Sequence, residues 1–327
     1  MDPLSRRSLL GAGVGAALGL NATTAPATAH QIDPELASHW MRLLRLLGQH
    51  DAMFGPHGVL GTVRTELGLI TGHRSVARGE LRAQLLRVES RWAWFASWVS
   101  NDVGDWHRRD SWGDRSLQLA RAADDADMIA WALLWQSRWA AMRHDPPRAI
   151  SLADEAGRTP GATGKIRGLC AIKQAHGHAL AEDRSSCERM LARAHGFFDH
   201  SAQSDHGTPS EEVGRRDDSA ELYVMADEAR CWLVLRPQRA VDMIEDVLRA
   251  WPRERARGLG VQQARLARAC ASADQPERAA AEGIKALDMA QATRSDLMMR
   301  ELRGVDRQLD ARDVPAATEF REALAAL

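Results

Sequence analysis

The 327-residue sequence predicts an all-α protein in which pairs of helices repeat and stack into a superhelix. Three observations predict it. Strand-type runs of Val, Ile and Thr are missing, and amphipathic Ala/Leu/Arg stretches fill their place. Two small residues seven positions apart recur along the chain. Polar turns fall at matching intervals between the apolar stretches. With 45% hydrophobic and 27% charged residues, the chain has the material for a substantial core. Its net charge of −1 gives no reason to expect nucleic acid or an anionic membrane as partner.

Residues 1–30 form a leader or linker that reads in two ways. Ser5-Arg6-Arg7, Leu9-Leu10 and a weakly apolar run from Gly11 to Leu20 precede Ala27-Thr28-Ala29. Those are the parts of a twin-arginine export signal cleaved after Ala29. The same stretch also serves as a cytoplasmic linker. The apolar run is far short of the ~20 residues a membrane-spanning helix needs. Residues 31–78 follow as an amino-terminal helical cap, with SHWMRLLRLLGQH and GVLGTVRTELGLI as its two helices.

From 79 to 327 the repeats take over. The small pairs are Ala149/Ala156, Cys187/Ala194, Ala240/Val247, Ala279/Ala286 and a weaker Ala316/Ala323. Each is assigned to the second helix of a pair, where a large residue would hold neighbouring helices apart. The turns NDVGDW, RHDPP, LAEDR, VLRPQ and SADQP precede the second helices. Gly157 to Gly164, Pro252 and Thr293-Arg294-Ser295 break the chain between pairs. A polar insertion near 199–218 accounts for the one long interval. A period near forty in this layout is that of tetratricopeptide-like repeats, an α-solenoid whose units bury their apolar faces only by stacking.

Catalytic and metal-binding patterns are missing. There is no His-Glu-x-x-His, Gly-x-Ser-x-Gly or phosphate-binding glycine loop. His176 and His178, two apart on a helix, point to different faces and make a poor chelating pair. Cys170, Cys187, Cys231 and Cys270 lie in helical patterns beside Ala or Leu, as small buried residues do. Asp124, Asp125 and Asp127 open a helix, where carboxylates suit the free amides. The sequence therefore predicts no enzyme, no cofactor and no metal.

The aromatic residues are the best functional candidates. Trp92, Trp94, Trp98, Trp131, Trp135 and Trp139 fall on the first helices of two adjacent repeats, several of them four apart. First helices line the concave groove of such a stack, so Trp94, Trp98 and Trp131 are expected to face a ligand. Arg91, Asn101, Asp102 and Arg138 are expected beside them, and repeat register adds His176 and Arg268. The expected ligand is a peptide, a small molecule or a protein partner. MMRELRGVDRQL and EFREALAAL offer an amphipathic end through which two copies could pair.

The stretch SRWAWFASWVSNDVGDWHRRDSWGDRSLQLARAADDADMIAWALLWQSRWAAMRHDPPRAISLADEA resembles the repeat region of actinobacterial Xre-type helix-turn-helix regulators. The features carrying the resemblance are Trp94/Trp98, Gly104-Asp105, Trp112, Leu117-Gln118-Leu119-Ala120, Asp127 and Asp145-Pro146. It extends over roughly 34 to 300. It implies a repeat-built sensor in transcriptional regulation, joined in that family to an amino-terminal DNA-binding domain through a segment like Arg6-Arg7. This chain begins at that joint, so direct nucleic-acid contact is not expected of it. A cytoplasmic regulatory module is the first reading, and an exported binding scaffold the second.

Overall fold

The computed structural model describes residues 35–204, 220–310, 312 and 314–326, and these contain fourteen α-helices and no strand. The leader lies outside the described residues, as does the expected insertion from 205 onward. The helices are α1 (Leu36–Phe54), α2 (Leu60–Val76), α3 (Gly79–Asp102), α4 (Trp106–Ala122), α5 (Ala126–Met142), α6 (Pro146–Gly157) and α7 (Gly164–Leu180). The second half adds α8 (Arg184–Ser204), α9 (Ala220–Leu235), α10 (Pro237–Ala250), α11 (Ala256–Ser272), α12 (Pro276–Thr293), α13 (Asp296–Leu309) and α14 (Pro315–Ala325). α8 runs past the expected loop boundary at 199, because the first breakers, Gly207 and Pro209, come later in the sequence.

One turn design joins four of the six helix pairs. Gly104, His144, Glu182 and Asp274 adopt left-handed backbone, with φ of 75°, 56°, 59° and 61°. The next residue's N–H then donates to the carbonyl five positions back: Asp105 to Ser100, Asp145 to Ala140, Asp183 to His178 and Gln275 to Cys270. This is the Schellman closure of a helix. In three of the four, the same aspartate caps the next helix. Asp105, Asp145 and Asp183 accept the backbone N–H three residues on, at 3.1, 3.1 and 3.0 Å. Asp124-Asp125 repeats the device between α4 and α5, where Asp125 accepts from Met128 N. A single residue ends one helix and starts another.

The small pairs behave as their spacing requires. Ala149, Ala156, Cys187, Ala194, Ala240, Val247, Ala279 and Ala286 are all fully buried. The last pair differs: Ala316 and Ala323 are half-buried, while Ala317 and Phe320 fill the interface with α12. The four cysteines are free and buried.

The described helix pairs do not leave an open groove. Six first helices, α3, α5, α7, α9, α11 and α13, succeed one another as neighbours, and α13 returns to α3. The second helices pack outside them: α4, α6, α8, α10 and α12 each lie between their own partner and the next first helix, and α14 lies against α12 and α13. α1 bridges the closure, lying against α3, α11 and α12. Arg257 of α11 donates to Asp51 of α1 at 2.8 Å and to Asp102 of α3 at 3.2 Å. Ser295 Oγ and the Leu297 N–H also donate to Asp102, and Arg300 donates to the carbonyl and side chain of Asn101. At Gly55, φ is 85°, and a Cβ would run into the Thr293 carbonyl oxygen. The molecule is a closed ring of helix pairs.

The amphipathic end also packs within the chain, on α11, α12 and α14. The apolar face of α13, formed by Leu297, Met298, Leu302, Val305 and Leu309, is buried within the chain. No large apolar side chain of α13 or α14 is exposed among the described residues. The face expected to pair two copies is covered by neighbouring helices of the same chain.

Candidate functional site

Two cavities lie along the ring axis, at opposite ends of the first helices. On α5, Trp131, Trp135 and Arg138 line one, and Ala141 and Met142 the other. On α9, Tyr223 and Asp227 line the first, and Arg230 and Leu233 the second. On α11, Arg257 and Val261 face the first and Arg268 the second, with Arg265 shared between them.

The first cavity, about 160 Å³, is walled by tryptophan. Trp135 is the hub, with its ring centroid 5.0 Å from Trp98, 5.2 Å from Trp139, 5.7 Å from Trp94 and 5.9 Å from Trp131. Most of these pairs are tilted or edge-on, the arrangement that ring quadrupoles favour. Trp92 and Trp139 are core residues, almost fully buried. Trp98 donates to Asp51, and Arg257 lies over the Trp98 ring, so this wall is tied to the ring closure. Tyr223 and Trp251, packed edge-on at 5.0 Å, complete the far side.

Several buried polar atoms on this wall have no partner among the described residues. They are the indole N–H groups of Trp94, Trp135 and Trp251, the Nε of Arg138 and one oxygen of Asp51. Buried donors are nearly always satisfied, since each orphan forfeits about 1–3 kcal/mol. Three tryptophans that line this one cavity thus carry an indole N–H without a partner among the described residues.

A layer of charge separates the two cavities. Asp227 accepts from Lys173 and, at 3.4 Å, from Arg138, with Arg230 at 3.6 Å. Burial alone would raise the Asp227 carboxyl, but these three cations outweigh it and hold the group well below the usual range. Glu301 does the same for Arg265 and Arg268, and its own carboxyl is held at about 2 against the pull of burial. Cations outnumber carboxylates here. Burial, opposed by Asp227, brings the Lys173 ammonium down to about 7. Burial, reinforced by Arg230 and Lys173, pushes His176 far below its ordinary value and keeps its imidazole neutral. Arg138 is likewise lowered by burial and then by Arg230.

The structure gathers four of the expected site residues and disperses the rest. Trp94, Trp98, Trp131 and Arg138 share the aromatic chamber. His176 and Arg268 line the second cavity. Asn101 and Asp102 are buried in the ring closure rather than in a groove, engaged by Arg300, Arg257 and Ser295. Arg91 lines neither cavity; it pairs with the helix-capping Asp125 at 2.7 Å, because its position on α3 faces the start of α5. Sequence reasoning did not reach Tyr223, Asp227, Trp251, Arg257 or Arg265. Lys173 carried a signal, being one of three lysines in a chain whose other cations are arginine.

Among the described residues, no group of three or more His, Cys, Asp or Glu side chains is placed to hold a metal ion. No helix among them is long and apolar enough to cross a membrane. In comparisons with known proteins, no family model matches the chain and no curated protein matches it.

Proposed function

We propose that this chain is a ligand-binding module of tetratricopeptide type that senses a small molecule in the tryptophan-walled chamber and acts in transcriptional regulation in the cytoplasm. The observation that carries the ligand reading is a cavity walled by Trp94, Trp98, Trp131, Trp135 and Trp251, three of which carry an indole N–H without a partner among the described residues. The ligand is a compact aromatic molecule bearing acceptor oxygens. A cavity near 150 Å³ accommodates about one benzene-sized ring, indoles stack on such rings, and Arg138 adds a cation beside them. Ring closure favours a small molecule over an extended peptide, since a peptide needs an open groove to lie in. The resemblance of residues 90–156 to the sensor region of Xre-type regulators supplies the regulatory part of the reading.

The test is a panel of one-ring aromatic carboxylates, read by intrinsic tryptophan fluorescence and thermal melting. A ligand at a hundred times its Kd stabilises the native state by about 2.7 kcal/mol, enough to raise Tm by several degrees. We expect at least one compound to do so and to quench the fluorescence, with both effects lost in a folded Trp131→Ala variant. A flat response across the panel, or a response that survives in Trp131→Ala, overturns the assignment.

A further inference from the structure

The opposite mouth of the ring is built from arginine. This cavity, about 280 Å³, is lined by eight arginines and a single carboxylate, Glu301. Arg109 and Arg143 share Asp110. Arg230 leans on Asp227, while Arg265 and Arg268 share Glu301. Arg300 and Arg303 share Asp296, and Arg307 has no partner among the described residues. Eight guanidinium groups are thus met by four carboxylates.

Helix C-termini attract cations, and α5, α7 and α9 end here. That effect explains one basic residue per helix end and leaves the convergence of eight unexplained. The crowding has a cost within the protein: burial, then Arg230, brings the Arg265 guanidinium down to about 10. An anion of several charges would relieve it. Arginine is suited to phosphate in particular, because its planar fork donates two parallel hydrogen bonds to adjacent oxygens. At the rim, the Trp106 side chain is 52% exposed, with Arg300 over its ring at 5.6 Å. An exposed indole beside a cationic pocket offers a flat heterocycle a surface to stack on.

We infer that this mouth binds a small organic pyrophosphate of the nucleoside diphosphate type. Arg268, Arg303 and Arg307 take the phosphates, and Trp106 stacks on the base. The site is separate from the aromatic chamber and stands whether or not that chamber takes a ligand.

Calorimetric titration of the full chain with ADP, inorganic pyrophosphate and a short single-stranded DNA tests the assignment. We expect ADP to bind more tightly than pyrophosphate, and both to weaken as salt is raised. An Arg303→Gln/Arg307→Gln double variant, altered only at exposed side chains, should lose about tenfold or more in affinity for both. Trp106→Ala should bring ADP down to the level of pyrophosphate and leave pyrophosphate unchanged. Failure of both small probes to bind, or affinities unaltered in the double variant, overturns the inference. DNA binding more tightly than ADP overturns it as well, by assigning the mouth to a nucleic-acid backbone.

Discussion

Arg257 on α11 and Asp51 on α1 stand 206 residues apart in sequence and meet at 2.8 Å in the interior. The same guanidinium serves Asp102 of α3, so one cation holds two carboxylates and three helices together. Burial and the neighbouring Asp102 outweigh Arg257 and raise the Asp51 carboxyl above its ordinary value. On Arg257 the two carboxylates outweigh burial, and the guanidinium stays charged.

Arg257→Met should therefore be among the most damaging single changes in the chain. It leaves two buried carboxylates without their shared cation, and removing one partner of a buried ion pair costs about 3–5 kcal/mol. Urea denaturation measures the loss. A change below about 1 kcal/mol would show that the closure contributes little to stability.

Gly55→Ala attacks the same junction from the backbone. Its φ of 85° and ψ of 176° fall where residues with a side chain rarely go, and the added Cβ meets the Thr293 carbonyl. Strain and collision together should cost about 3 kcal/mol. Hydrogen exchange should quicken in α1 before it does in α7. Uniform exchange across the ring would argue against a local opening.

Glu182→Gly should have the opposite sign. Glu182 is an exposed residue held at φ of 59° in the turn between α7 and α8. Glycine removes a left-handed penalty of about 1–2 kcal/mol and returns part of it as unfolded-state entropy. A net gain of about 0.5–1 kcal/mol is expected, visible as a higher denaturant midpoint with an unchanged slope.

Lys173 sets a pH dependence. Its folded pKa of about 7 lies below the ordinary 10.5, so the unfolded chain binds the extra proton between those values. Stability contributed by this group accordingly rises as pH climbs from about 7 to about 10.5, and is constant outside that window. In Lys173→Met, where Arg138 and Arg230 still face Asp227, the rise should disappear. Denaturation of both proteins near pH 7 and near pH 10 isolates the contribution of Lys173, and parallel curves would refute it.

Local periodicity in the sequence reports local structure, and that part was legible. Ala149, Cys187, Ala240 and Ala279 recur because adjacent helices must approach closely, and a seven-residue step returns to the same helical face. Asp105, Asp145 and Asp183 stand out in the turns because a carboxylate satisfies the amides of a new helix. Trp94, Trp98 and Trp131 meet because neighbouring first helices run side by side. The closure left no such trace. Whether a repeat stack stays open depends on small rotations accumulated across many interfaces, and no window of sequence contains Asp51 together with Arg257. Asn101 and Asp102 were therefore expected in a groove that closure removes. At the carboxyl end, Ala317 and Phe320 displaced the expected Ala316/Ala323 because Pro315 resets where α14 begins.

An open array of repeats behaves as a line of neighbours that unravels from either tip, one unit after another. Joining α1 and α3 to α11 and α13 removes the tips. Freeing α1 means breaking Asp51 from Arg257, and freeing α13 means breaking Asp102 and Asn101 from Ser295, Leu297 and Arg300, so unfolding is expected to be concerted rather than stepwise. The same bonds raise the mean sequence separation of native contacts. Folding must close a loop of some two hundred residues before those bonds form, which slows assembly compared with a linear stack of equal length.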